Sequence, residues 1–201
     1  MSASAVAGRR AQTKERNRAA ILAAAREVFS EQGYGGSAVR DIVRRTDLSA
    51  GTFYNYFRDK ESIFLALVEE STARVRERLR TARREARSLD EFVGVAYRAW
   101  FGAIADDPAM FELLRRNAGT VRAMLDDALL AAGVDELLED LEGAIARGEV
   151  PPLDARYMAR AMGAVALEVG MEMLERRPVD VEAAATFATE LFLGGIERMA
   201  R

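Results

Sequence analysis

Residues 51–57 read GTFYNYF and set four aromatic side chains, Phe53, Tyr54, Tyr56 and Phe57, in five consecutive positions of a chain with only 15 aromatics in 201 residues. Helical geometry gives the crowding a reason. At 100° per residue, Phe53, Tyr56 and Phe57 fall within about 100° of one another and point inward. Tyr54 lies on the flank, and Gly51, Asn55 and Arg58 face the other way. A helix of one or two turns rarely survives without tertiary packing, so three inward rings would anchor a helix too short to hold itself.

The flanking sequence supplies two companions. From about Thr13 to Gln32 the apolar positions Ile21, Leu22, Ala25, Val28 and Phe29 follow the spacing of a one-faced helix, closed by Gly33. Ser37 is placed to cap a second, short helix to about Thr46, with Ala38, Val39 and Ile42 inward. Thr46-Asp47-Leu48-Ser49 then makes a turn, and Ser49 caps the aromatic helix. Two short helices joined by a tight turn form the arrangement that reads the major groove of DNA.

Ordered landmarks carry a family resemblance across Ile21–Glu70: the A-x-x-x-F-x-x-x-G-Y close of the first helix, Ser37-x-x-x-Asp41-Ile42, Gly-Thr-Phe-Tyr-x-Tyr-Phe, and Asp59-Lys60-Glu61. This run resembles the N-terminal domain of TetR-family transcriptional regulators. Val43 departs from the family pattern, standing where a small Ala is typical, and Asp47 stands where the turn usually has Gly; Asp tolerates the left-handed conformation better than most residues. The resemblance implies DNA contacts from Arg40, Asn55 and the backbone at Gly51 to base edges. It also implies phosphate clamps at Thr52, Tyr54 and Lys60, with the helix starts at Ser37 and Ser49 aimed at phosphate oxygens. The basic arm Arg9, Arg10, Lys14 and Arg16 is a further candidate for backbone or minor-groove contacts.

Charge divides the chain in the same place. Residues 1–60 hold 11 Lys or Arg against 6 Asp or Glu, whereas the remainder holds 18 against 26. A basic head before an acidic body suits a polyanionic partner for the head alone. Cys and His are both absent, which excludes disulfides, thiolate nucleophiles, Ser-His-Asp triads and imidazole-held metals. The chain is therefore expected to be no enzyme and to carry no cofactor and no metal site. No apolar run approaches the roughly 20 residues of a membrane span, and the first eight residues lack the apolar stretch of a secretory signal, so the expectation is a cytoplasmic protein with no membrane partner and a disordered tail through about Gly8.

The whole chain reads as all-α: residues 1–60 as the arm and helix-turn-helix domain, residues 61–201 as a helical effector-binding and dimerisation domain. Pro occurs only at 108, 151, 152 and 178, at helix boundaries. The pattern predicts helices from Lys60 to about Arg87, from a capping box at Ser88-x-x-Glu91 to about Ala105, and from Asp107-Pro108 to Gly119. A segment over 120–147, broken near Gly133, follows, then helices capped by Asp154 and Asp180. The last two helices carry apolar stripes, Met158, Ala161, Met162, Val165 and Val169, then Ala184, Phe187, Ala188, Leu191, Phe192 and Gly195. In the family these helices pair with their copies, which implies a homodimer on a palindromic operator. A ring-rich set, Phe92, Tyr97, Trp100, Phe101, Met110, Phe111, Leu114 and Met124, is either core or pocket. The family implies a cavity here for a small, hydrophobic effector, with fatty acyl species one candidate, whose binding releases a repressor from double-stranded operator DNA.

Two charged features have plainer readings. The seven arginines between Arg74 and Arg87, with Arg115 and Arg116, read as a solvated face partly neutralised by Glu77, Glu85 or the acidic stretch Asp135 to Glu142, the alternative being a phosphate contact of the coenzyme A type. Glu168, Glu172 and Glu175 share a face but have no His partner, and read as helix surface. The competing reading of the chain is a helical ligand-binding or interaction module with an idle DNA head.

Overall fold

The computed structural model describes residues 3–124 and 127–199. Among the described residues every regular element is a helix: α1 (Ala3–Gly36), α2 (Val39–Arg44), α3 (Ala50–Tyr54), α4 (Lys60–Glu85), α5 (Leu89–Asp106), α6 (Pro108–Arg116), α7 (Ala118–Met124), α8 (Asp127–Ala146), α9 (Ala155–Glu175) and α10 (Val181–Met199). Contacts gather these into two compact units. One holds the described residues through Ser71 together with Glu112–Met124; the other holds Thr72–Phe111 with the described residues from 127 on.

In the first unit, Ile21, Leu22, Ala25, Val28 and Phe29 are buried on one face of α1, as their spacing requires. Ile42 of α2, Phe53 of α3, Phe57, and Ile63, Phe64 and Leu67 of α4 are buried in the same unit. Phe29, Tyr34 and Phe64 form a ring cluster with centroids 4.5 to 5.9 Å apart, a geometry favoured by the ring quadrupoles. The helix expected to begin near Thr13 runs back to Ala3; Ala, Arg, Gln and Lys are strong helix formers, and nothing before Gly33 stops them. At Gly33 the backbone turns to φ 73° and ψ 159°, a region open to glycine alone, and the chain bends there. Asp47 needs no such freedom: among the described residues only Gly33 and Gly148 have positive φ.

Two caps differ in origin. Ser49 Oγ accepts from the Thr52 N–H at 3.1 Å and starts α3, worth about 1 kcal/mol for such a cap. Ser37 does not start α2: its hydroxyl donates to the Tyr34 carbonyl at 2.9 Å, and the Asp41 carboxylate instead accepts from the Ala38 N–H at 3.0 Å. The expected helix to Thr46 ends at Arg44, where the Thr46 hydroxyl donates to the Val43 carbonyl at 2.9 Å. Arg45 then ties this corner back to α1 through Glu27 at 3.2 Å and Glu31 at 2.9 Å. The aromatic helix is also shorter than expected, ending at Tyr54 before Asn55 and Tyr56 turn toward α4.

The second unit is built on α5, α8, α9 and α10. Ser88 caps α5 by accepting from the Glu91 N–H at 3.1 Å, Asp154 caps α9 from Tyr157 at 2.9 Å, and Asp180 accepts from Ala183 at 2.9 Å at the start of α10. The break expected at Gly119 falls two residues earlier, where the Asn117 side chain donates to the Leu113 carbonyl at 2.8 Å, and Gly133 lies inside α8 rather than breaking it. Tyr97, Phe101 and Phe192 stack with centroids 5.8 and 5.9 Å apart. The Tyr97 hydroxyl donates to the Met162 carbonyl at 3.3 Å, and the Trp100 indole N–H to the Ala166 carbonyl at 3.1 Å, which fixes α5 against α9. Burial pushes the Tyr97 phenol well above its ordinary range.

Close packing of α5 and α9 rests on Gly170. A Cβ there would stand 2.5 Å from Ile104 Cδ1 and 3.6 Å from the Phe101 ring. Gly170→Ala is therefore expected to destabilise the protein by about 1–3 kcal/mol, read as a lowered midpoint in urea; an unchanged midpoint would show that the end of the Ile104 side chain swings aside at no cost.

Candidate nucleic-acid interface

The face of the first unit that the rings leave open is formed by α2 and α3. Phe53 and Phe57 are buried and Tyr56 is half-buried, its hydroxyl accepting from the Asn17 amide at 3.2 Å. These inward rings turn Gly51, Tyr54, Asn55 and Arg58 to the surface, and Tyr54 is 57% exposed. Thr52 is half-buried, with its hydroxyl 2.9 Å from that of Ser49. Arg40, on α2, has a side chain 78% exposed and lies 3.8 Å from Asp41, a loose pair that leaves the guanidinium free to turn. So Arg40, Ser49, Gly51, Thr52, Tyr54 and Asn55 all belong to this one region, and of these only Thr52 is even half-buried.

Ser37 and Lys60 are placed differently. Ser37 is 6% exposed, with its hydroxyl committed to Tyr34, so its side chain braces the turn after α1 instead of facing outward. The Lys60 ammonium donates to the Tyr34 carbonyl at 2.6 Å and the Ser37 carbonyl at 2.9 Å, and sits 4.4 Å from the centre of the Tyr34 ring. Those carbonyls belong to the end of α1 and the residue that follows it, and a charged group from the start of α4 donates to both. An ammonium has three donors, and two are used here. The turn is further fixed by Asp59, which accepts from the Ser62 N–H at 2.7 Å while the Ser62 hydroxyl lies 3.3 Å from the Asp59 N–H. The Ser62 N–H holds the Asp59 carboxyl below its ordinary value. Sequence reasoning missed this bracing role of Lys60, because the free carbonyls it serves arise only from the fold.

Arg10, Lys14 and Arg16 of the basic arm are exposed on α1; the side chain of Arg9 lies outside the described residues.

The ring-rich set does not line one cavity. Tyr97, Phe101 and Met110 are buried core residues, and Trp100 and Phe111 pack against that core. Leu114 falls in the first unit and is half-buried, and Met124 has its side chain outside the described residues. Phe92 alone of the eight lines the large cavity of the second unit. The two stripes also divide. Met158, Met162, Ala188 and Phe192 are buried in their own chain, because each stripe is wide enough to include the face that α9 and α10 turn toward α5. Val165, Val169, Ala184 and Gly195 are half-buried. Ala161, Phe187 and Leu191 are exposed, Phe187 by 58% and Leu191 by 50%. Among the described residues no group of acidic side chains is placed to hold a metal, and no helix is long and apolar enough to cross a membrane.

Residues 21–67, which include α2, α3 and the start of α4, match the family model of bacterial regulatory proteins of the tetR family. These residues are the N-terminal domain of a TetR-family transcriptional regulator. Solved structures agree along nearly its whole length. The regulator FadR from Bacillus subtilis, in complex with stearoyl-CoA, is 26% identical and matches with a TM-score of 0.77 over 88% of this chain and 98% of that one. A TetR-family regulator from Pectobacterium atrosepticum is 27% identical, with a TM-score of 0.67 over 90% and 94%. The fatty acid degradation regulator FadR from Bacillus halodurans, 24% identical, shares the fold at a TM-score of 0.77 over 89% and 95%. The family's members are transcriptional regulators and not enzymes.

Replacing the Lys60 ammonium takes a donor from two backbone carbonyls, leaving Tyr34 with the Ser37 hydroxyl and Ser37 with no side-chain donor among the described residues. Lys60→Met in this TetR-family chain is expected to cost about 2 kcal/mol in the absence of DNA, read by chemical denaturation. A variant as stable as the parent would show that water serves those carbonyls equally well.

Proposed function

We propose that the protein is a repressor that binds a palindromic operator as a homodimer and is released by a small hydrophobic effector. The observation that carries this reading is the outward set of Arg40, Tyr54 and Asn55, held on a helix pair whose inward rings leave it no other orientation. Arg40 carries a planar fork that suits guanine O6 and N7, and Asn55 stands where a side chain reaches base edges. Tyr54, Thr52 and Ser49 offer hydroxyl groups for phosphate oxygens, and the third donor of Lys60 is free to join them. Residues 1–60 serve as the reading head, and residues 61–201 as the effector-binding and dimerising body.

Dimerisation is supported by Phe187 and Leu191, exposed one turn apart on α10, with Ala161 exposed on α9. Two large apolar side chains at that spacing make a face that association would cover. A single helix-turn-helix head seldom discriminates well enough by itself, and two heads on a symmetric site supply the rest. The stearoyl-CoA bound by the FadR of Bacillus subtilis supports a fatty acyl species as effector class for this chain. The basic head and acidic body give the DNA one face to approach.

The test is binding of the purified protein to the DNA upstream of its own and neighbouring genes, at two salt concentrations and against random competitor. The expected result is a competed, salt-sensitive complex; a folded, ligand-free dimer that binds neither promoter nor selected DNA would mean an idle head. Arg40→Ala is expected to lose about 1–3 kcal/mol on operator and to relax preference at one position. Equal loss on random DNA would remove its base-reading role. Leu191→Arg is expected to give a monomer at micromolar concentration by sedimentation, with the helical content of the parent.

A further inference from the structure

The C-terminal end of α4, the start of α5 and the C-terminal half of α8 enclose a cavity of about 870 Å³ in the second unit. Arg80, Arg83, Arg84, Arg87 and Arg147 line it, with an apolar floor of Leu89, Phe92, Leu141 and Val150. Arg80, Arg83, Arg84 and Arg87 follow one another at i, i+3, i+4 and i+7, which places them along one side of α4 and its end. Like charges at that spacing repel, so something must hold them together.

Part of the answer is internal. Glu136 of α8 accepts from Arg76 at 3.1 Å and from Arg80 and Arg83 at 3.4 Å, so one carboxylate serves three guanidinium groups. Burial works to raise the Glu136 carboxyl, but the hydrogen bond and charge of Arg76, then of Arg80, outweigh it and hold the group below its ordinary value. Arg83 has a side chain only 8% exposed and lies 3.0 Å from Asp140 through Nε, at an angle that makes no hydrogen bond. Arg147 is taken by Glu149 at 2.8 Å. The guanidinium groups of Arg84 and Arg87 have no carboxylate partner among the described residues, the Glu91 carboxylate accepting from the Arg87 backbone N–H at 2.8 Å. Of the lining carboxylates only Glu139, exposed on α8, is without an ion pair there. The arginine field is therefore incompletely neutralised, and its free charges stand beside apolar surface. Guanidinium forks match phosphate oxygens two at a time, and a buried guanidinium with an unused donor is costly to leave so.

We propose that this cavity binds an organic phosphate, Arg84 and Arg87 taking the phosphate and the apolar floor taking its hydrocarbon, with Glu136 standing in as counter-ion until the ligand arrives. The ligand class is an amphiphile with one or more phosphate groups on an apolar body. The binding event stands on the cavity's own geometry; its effect on DNA rests on the effector reading above. Ligand phosphate would compete with Glu136 for Arg80 and Arg83, loosening the ties between α8 and α4.

The test uses full-length protein and octyl phosphate, with inorganic phosphate as the probe of the charged part alone, followed by calorimetry. Octyl phosphate is expected to bind about tenfold or more tighter than inorganic phosphate, because its chain leaves water. The double variant Arg84→Gln, Arg87→Gln is expected to weaken octyl phosphate about tenfold or more. Both side chains are exposed, and an unchanged thermal melt shows that the fold is kept. Glu136→Gln is expected to tighten binding several-fold, whereas a merely structural Glu136 would leave it equal or weaker; if that variant melts early, the arginine pair decides alone. No octyl phosphate binding, or binding indifferent to Arg84 and Arg87, overturns the site. Binding that depends on the arginines but leaves operator affinity unchanged upholds the site and overturns its role as effector site.

Discussion

A five-residue helix makes too few backbone hydrogen bonds to hold itself, so α3 exists because Phe53 and Phe57 are pinned in the core of the first unit. Burying two such side chains is worth about 3–6 kcal/mol relative to leaving them in water. Everything on the outer face follows from that inward commitment. The helix cannot rotate without exposing a ring, so Tyr54, Asn55 and Gly51 are held outward by what Phe53 and Phe57 do on the other side. The Lys60 ammonium closes the same assembly from below, joining the first residue of α4 to the carbonyls of Tyr34 and Ser37. Outer face and core are thus one construction, in which the outward side chains contribute little to folding and the folding side chains are hidden from that face.

The second unit answers a different constraint. Its helices approach closely where side chains are small, at Gly170 against Ile104 and Phe101, and polar atoms of large residues are satisfied across the same joint, Tyr97 to Met162 and Trp100 to Ala166. The rings fill space and their polar tips fix register. The α4 end instead gathers guanidinium groups around one glutamate, where charge and not shape holds the elements together. A tightly packed joint and a charged, hollow one therefore lie in the same unit, with different responses to an incoming anion.

Much of this could be read from residue order alone. The periods that placed Ile21 to Phe29 and Phe53 to Phe57 inward are local, and so are the caps at Ser49, Ser88, Asp154 and Asp180. Misreadings arose where a local rule met a tertiary competitor. Ser37 looks like a cap, but its hydroxyl found the Tyr34 carbonyl first, and Asp41 supplied the cap from inside the helix. The stripes of α9 and α10 are apolar over more than one face, and periodicity cannot say which part meets the chain's own α5; burial of Met162, Ala188 and Phe192 against exposure of Phe187 and Leu191 is a property of the assembled unit. The arginines of α4 were visible as a row at helical spacing. The acidic stretch 135–142 was legible as one of their possible neutralisers, but that Glu136 and Asp140 are the members that meet Arg83 is decided by the fold.

Trp100 is the chain's single tryptophan, and its indole N–H is bonded across the α5–α9 joint to Ala166. Its emission colour and lifetime therefore belong to one place, the packed joint of the second unit, while the first unit contributes only tyrosine and phenylalanine. The molecule carries its own optical gauge: a red shift of the ultraviolet emission of Trp100 marks water reaching that joint, and a constant signal during a change in DNA binding marks a transition that leaves the joint closed.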